Sequence, residues 1–263
     1  MSAPLLEGKN LIIIGGTSGI GLSAAQAFVA AGARVVVVGR KPGAGSLAEL
    51  GDVVRVVAGD ARRPETAPAA IEEATRAFGP LDGLYHVAGG SGREIGDGPL
   101  HELSDEGWAA TLDWNLTALM FSNRAAARQF LQQGKGGSIL NISSVLGFSP
   151  SPHHFVTHAY AAAKSAAIGL TRSLAAYYAR DNIRFNVLAP GLVRTPMSQR
   201  AASNPAIVEF IRSKQPLAGG RIGEPSDLDA AAVFFMSDGS RFTTGQVLAV
   251  DGGWSVSEGQ VRD

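Results

Sequence analysis

A chain of 263 residues is long enough to bury a substantial core without covalent staples, and the absence of cysteine excludes disulfides, thiolate metal sites and a cysteine nucleophile. Lys plus Arg and Asp plus Glu balance at 23 each, so no net charge draws the chain to nucleic acid or to an anionic membrane. The opening residues MSAPLLEGKN lack the basic start and apolar stretch of a signal peptide, and no apolar run approaches a membrane span. A cytoplasmic location is therefore expected, with neither a nucleic-acid nor a membrane partner.

In chain order, the β-branched run Leu11–Ile14 enters Gly15-Gly16-Thr17-Ser18-Gly19-Ile20-Gly21, followed by an Ala-rich helix over Leu22–Ala31. Glycines between a strand and a helix N-terminus let a pyrophosphate approach the backbone, where free N–H groups and the helix dipole offset its charge. A second strand, Val35–Val38, ends in Gly39-Arg40-Lys41, where a fold that holds an NAD ribose usually presents a carboxylate. Arg40 and Lys41 offer partners for a 2′-phosphate instead, favouring NADP(H) and leaving NAD(H) open; a solvated basic turn is the alternative. After a third strand, Val53–Val57, Asp60 is placed either to accept from an adenine amino group or to cap the turn before Pro64.

Further runs at Leu84–Val87, Ile139–Ile142, Phe185–Leu188 and Val247–Val250 complete seven strands. Their apolar character on both faces and their alternation with helical spacing predict an α/β fold, a parallel sheet built of βαβ units with helices on both sides. One nucleotide-binding domain over residues 1–263 is expected, the stretches 42–51 and 90–99 being surface loops because strands continue on either side. Ligands in such sheets bind outside the carboxyl ends of the strands, so the residues just after each strand are the candidates for function.

The strand Ile139–Ile142 ends in Ser143-Ser144. It precedes a helix expected over Thr157–Ala179, on which Tyr160 and Lys164 lie four apart and share a face. A phenol that exchanges protons near neutrality needs its anion stabilised, and a neighbouring ammonium does that. Taken alone, Tyr and Lys at this spacing are more often a packed tyrosine beside a snorkelling lysine, so context must overturn that reading.

Together, the glycine turn, the strand-end serine, Tyr160-Ala-Ala-Ala-Lys164 and Pro190-Gly191 after the sixth strand resemble the short-chain dehydrogenase/reductase family over residues 8 to 254, in particular its 3-oxoacyl-carrier-protein reductase-like branch. The resemblance implies a Rossmann-type doubly wound, seven-stranded parallel sheet with helices on both faces, and Asn115, Ser144, Tyr160 and Lys164 as catalytic residues. Ser144 is preferred to Ser143 because two residues and then Gly147 follow it. It implies cofactor contacts from Gly15, Thr17, Ser18, Gly19, Ile20 and Gly21, from Arg40, Lys41, Asp60, Ala61, Ala88 and Gly89, from Tyr160 and Lys164, and from Pro190, Gly191, Val193 and Thr195. No metal is implied.

The reaction so implied is hydride transfer between NAD(P)(H) and a small-molecule carbonyl or secondary alcohol, with Tyr160 as acid/base. Enoyl reduction is the lesser variant, because its members separate Tyr and Lys by more residues; a non-catalytic dinucleotide-binding regulator or scaffold is the reading from another class. Ile14 stands where the family often has Thr, and His86-Val87-Ala88-Gly89 where it often has Asn-Asn-Ala-Gly. The interval from Ser144 to Tyr160 is about three residues longer than usual, and its His153-His154-Phe155 is read as a substrate rim, against a solvated loop or a metal pair at His154 and His158. Substrate loops are expected near 90–99, 145–158 and 195–214. A homotetramer is expected through helices near 104–131 and 157–180 and the segment 226–254, which includes Trp254.

Overall fold

A computed structural model describes residues 4–41 and 47–259. Seven strands form one parallel sheet in the order β3-β2-β1-β4-β5-β6-β7: β1 Asn10–Ile14, β2 Arg34–Gly39, β3 Val54–Ala58, β4 Gly83–His86, β5 Gly137–Ile142, β6 Ile183–Pro190 and β7 Val247–Val250. All seven expected strands are present, shifted by a residue or two at some ends. Of the expected loop 42–51, residues 42–46 lie outside the described residues, and Ala48–Val53 forms a 3-10 turn.

The strands are apolar on both faces because both are covered. Leu11, Ile13, Val35 and Val37 pack with Phe28 of α1 (Gly19–Ala30), while Ile12, Ile14, Val36 and Val38 pack on the other side. There they meet Ala70 and Ile71 of α2 (Thr66–Phe78) and Phe130 of the later helix α4. The chain reverses direction of winding between β1 and β4, and the crevice of such a sheet opens at the carboxyl ends beside that point.

Between β4 and β5 the chain forms α3 (Asp105–Leu112), one π turn (Asp113–Thr117) and α4 (Ala118–Gln133). In the π turn the Ala118 N–H donates to the Asp113 carbonyl, five residues back, which rotates Asn115 inward. Periodicity alone read this stretch as one helix. The helix α5 (His158–Tyr178) joins β5 to β6, and α6 (Gln199–Ala202), α7 (Pro205–Lys214) and α8 (Asp229–Met236) lie between β6 and β7.

Trp254 corrects one expectation. It is only 1% exposed and packs edge-on against Phe155 and Phe210, with ring centroids 5.6 and 5.7 Å away, while its indole N–H donates to the Ser149 carbonyl at 3.1 Å. An aromatic ring spent inside the protomer is not an intersubunit contact. No helix among the described residues is long and apolar enough to cross a membrane.

Candidate active site

A cleft of about 600 Å3 runs along the carboxyl ends of the strands, from the β2 and β3 ends to the segment after β6. Gly15, Thr17, Ser18, Gly19 and Ile20 form one wall. Gly15 has φ +90° and lies so close to β4 that a Cβ would sit 2.6 Å from the Ala88 nitrogen, so only glycine closes this turn. Gly21 lies behind the turn, where a Cβ would meet the Gly15 carbonyl at 2.2 Å, letting α1 pack directly on it. Ser18 caps α1 without a side-chain hydrogen bond, so no side chain competes with a ligand anion for the first-turn N–H groups. A glycine cradle, an uncapped helix N-terminus and a cleft of this size fit a dinucleotide.

At the β2 end Arg40 lines the cleft and is exposed, whereas Lys41 is exposed and does not line it. Asp60 and Ala61 line it at the β3 end, but Asp60 is already engaged. Its carboxylate accepts from both Nε and Nη2 of Arg62, at 2.5 to 3.0 Å, and from the Arg62 backbone N–H at 3.0 Å. The Arg62 side chain, opposed by partial burial, holds the Asp60 carboxyl down at about 2. Asp60 thus caps its own turn through the Arg62 N–H, and it does so at the edge of the cleft. Arg62, not anticipated from the sequence, reaches over the Trp114 ring at 5.8 Å; an arginine two residues after a strand-end aspartate was the available signal.

The centre of the cleft holds Ser144, Tyr160 and Lys164, with Ala88 and Gly89 from the segment after β4, Pro190 from the end of β6, and Gly191, Val193 and Thr195 from the segment that follows it. Ser144 starts a short turn after β5, its oxygen accepting from the Leu146 N–H at 3.2 Å. Ser143 instead donates to the Lys164 carbonyl at 2.7 Å and is buried, so its hydroxyl serves the packing of α5. Lys164 is 3% exposed, donates to the Ile142 carbonyl at 3.3 Å and places Nζ 5.5 Å from the Tyr160 ring centroid. Asn115 does not line the cleft directly. Its amide donates to the Gly90 and Thr111 carbonyls at 2.8 Å each, and its oxygen accepts from the Gly90 N–H at 3.2 Å. A Cβ on Gly89 would meet Asn115 Oδ1 at 2.6 Å and Lys164 Nζ at 3.3 Å, so the asparagine, glycine and lysine are stacked in contact.

Electrostatically the chain behaves differently from the expectation that Lys164 lowers the phenol. Burial pushes Tyr160 up to about 12, with Ser144 pulling it the other way, and burial brings Lys164 down to about 8. Desolvation outweighs the local pairing. At neutral pH the phenol is therefore held protonated, as a donor, and the ammonium remains mostly charged.

The departures at β4 have a structural counterpart. His86, fully buried, shares a hydrogen bond of 2.7 Å between Nδ1 and Ser122 Oγ on α4, which braces the central strand. Ile14 is 1% exposed and forms part of the cleft floor. In the long interval before α5, Phe155 lines the cleft against Trp254, and His154 packs at a tilt against Phe210, ring centroids 4.8 Å apart. Among the described residues no three His, Cys, Asp or Glu side chains are grouped to hold a metal.

Asp97 was not singled out from the sequence. It is 3% exposed and reaches from the β4–α3 loop to accept from the Ala159 and Tyr160 backbone N–H groups, both at 2.9 Å. It thus supplies the N-terminal cap of α5 that Thr157 does not. Asp97→Ala leaves two N–H groups unpaired at the positive end of a 21-residue helix and is expected to cost about 2–3 kcal/mol of stability, read by urea unfolding.

A strand-turn-helix cradle, a tyrosine and lysine on one helix face and a strand-end serine define a dinucleotide-binding protein of the doubly wound class. Residues 15–255 match a family model described as enoyl-(acyl carrier protein) reductase. The chain is 37% identical to 2,5-dichloro-2,5-cyclohexadiene-1,4-diol dehydrogenase of Sphingobium indicum, over 95% of this chain and 98% of that protein. A short-chain type dehydrogenase/reductase from Mycobacterium ulcerans superposes with a TM-score of 0.87 at 33% identity, covering 96% of this chain and 91% of that one. A gluconate 5-dehydrogenase from Burkholderia cenocepacia, solved with NADP and tartrate, gives 0.86 at 31% identity, with 96% and 97% covered. The chain belongs to the short-chain dehydrogenase/reductase family.

Proposed function

We propose that this protein is an oxidoreductase that prefers NADP(H) and interconverts a carbonyl and a secondary alcohol, with Tyr160 as the acid/base. The observation that carries the reading is the meeting of Ser144, Tyr160 and Lys164 in the same cleft as the glycine turn and Arg40. The dehydrogenase names of the relatives support it, and so does the NADP bound by the gluconate 5-dehydrogenase. Four-residue spacing of Tyr160 and Lys164 favours carbonyl over enoyl chemistry within the family.

Bound nicotinamide supplies or accepts the hydride. The chain does the rest: Ser144 donates to the carbonyl oxygen, and Tyr160 gives its proton to that oxygen as the alkoxide forms. Donors already in place stabilise the charge only as it develops. Lys164 keeps a positive charge beside the phenol, so that the tyrosinate left after proton donation is not stranded in a buried site. Asn115 fixes Gly89 and Gly90, and through them the wall against which the lysine packs. Oxidation runs the same path backwards with Tyr160 as base, the direction that higher pH favours because the phenol sits so high.

The cofactor preference rests on Arg40, exposed at the cleft end with no carboxylate on the β2 terminus. Fluorescence titration is expected to give tighter binding of NADPH than NADH, and Arg40→Asp is expected to reverse the order by removing a charge-assisted contact and adding repulsion. Equal affinities in the wild type, or no shift in the variant, would remove the 2′-phosphate role. Turnover across a panel of ketones and alcohols with both cofactors tests the reaction itself.

A further inference from the structure

Two arginines at the substrate end of the cleft have no role in the chemistry above. Arg93 lies on the short 3-10 turn Arg93–Ile95 after β4, and Arg200 lies on α6 after β6. Both line the cleft that contains Ser144 and Tyr160. Since β5 lies between β4 and β6 in the sheet, the segments that carry the two arginines flank the strand that ends in Ser144. The glycine turn and the β2 and β3 ends, where Arg40 and Arg62 stand, belong to other strands.

None of the ion pairs within 4 Å among the described residues involves Arg93 or Arg200. Partial burial and the like charge of Arg200 both disfavour the charge on Arg93, and the compensating charge is that of Asp97. That carboxylate is already committed to two backbone N–H groups of α5. Glu94 also lines the cleft, but it is exposed and pairs with neither guanidinium within 4 Å. Arg93 is half-buried and feels the like charge of Arg200, which is exposed at the cleft, so an anion entering there meets two guanidiniums that have no ion-pair partner within 4 Å among the described residues.

We infer that the substrate is an anion: a carbonyl or hydroxyl compound whose carboxylate or phosphate is clasped by Arg93 and Arg200 while its reacting oxygen meets Ser144 and Tyr160. This inference rests on the oxidoreductase reading for the reacting end and on the two guanidiniums for the charged end. Planar forks from two segments suit either oxyanion, and the charge steers the substrate in while the fixed contact sets its orientation.

The test uses two matched pairs, 5-oxohexanoate with its methyl ester and dihydroxyacetone phosphate with dihydroxyacetone. Each is titrated calorimetrically into the enzyme with and without saturating NADPH, and each is assayed for turnover. In at least one pair the anion is expected to bind about tenfold or more tighter than its neutral partner. The pair that shows the preference identifies carboxylate or phosphate as the recognised group. Arg93→Gln and Arg200→Gln, checked for an unchanged melting curve, are each expected to cut that preference about tenfold while the Kd for NADPH stays within about twofold. Arg93→Lys is expected to retain part of it.

Anions that bind with this preference but are not reduced would keep the anion site and overturn the oxidoreductase reading. Neutral partners that bind and react as well as the anions, or no anion binding at all, would overturn the anion site and leave the reaction standing. A large loss of NADPH affinity in either variant would assign the arginine to the cofactor and overturn the inference.

Discussion

Tyr160→Phe is expected to lower turnover by about a thousandfold while changing NADPH affinity by less than about twofold. The substitution removes one hydroxyl and little volume, and that hydroxyl is the group beside Ser144 in the cleft. Single-turnover hydride transfer and fluorescence titration separate the two effects. Turnover above a tenth of wild type would reject Tyr160 as the proton donor. Lys164→Ala is expected to behave differently, weakening catalysis and cofactor binding together, because its ammonium lies between the phenol, the Ile142 carbonyl and the wall at Gly89. Loss of catalysis with cofactor binding intact would leave Lys164 acting on the phenol alone.

The second large effect concerns stability in acid. His86 is fully buried, and burial, reinforced by the Lys164 charge, brings it down from its ordinary 6.5 to about 3. Between those values the unfolded chain binds a proton that the folded chain does not, so stability falls as pH falls from about 6.5 towards 3. The difference corresponds to a loss on the order of 5 kcal/mol over the full window. His86→Asn keeps a side chain able to hydrogen-bond Ser122 and does not titrate. Urea unfolding between pH 7 and pH 4 is expected to show a shallower acid slope in His86→Asn than in the wild type. Parallel slopes would mean that His86 takes up its proton in the fold as readily as in the unfolded chain. Lys164 acts with the same sign in another window: its folded value of about 8 against an ordinary 10.5 makes stability rise with pH between the two.

His86 also shows how a departure from a family pattern is absorbed. An asparagine there would brace the strand with an amide; here the imidazole reaches Ser122 on α4 and stays neutral. The cost is a buried ring whose Nε2 has no hydrogen-bond partner among the described residues. Nothing in the run Leu84-Tyr85-His86-Val87 indicated that partner, because Ser122 is 36 residues away in the chain.

By itself the sequence determined the seven strands, because each is a short apolar run ended by glycine, proline or a hydroxyl, and burial on both faces leaves no other arrangement for such runs. It also determined that Gly15 and Gly21 belong to a close-approach turn and that Tyr160 and Lys164 share a helix face, since both follow from local backbone geometry. The tertiary structure alone decided which strands are neighbours and therefore which loops meet. It engaged Asp60 with Arg62, enclosed Trp254 between Phe155 and Phe210, and turned Asn115 inward through a π turn that helical periodicity conceals. It also brought Asp97 to the start of helix α5 from 62 residues away and set Arg93 and Arg200 along one cleft. These are pairings between groups far apart in the chain, whose energies depend on burial and on distance in space, and neither quantity is written in the order of the residues.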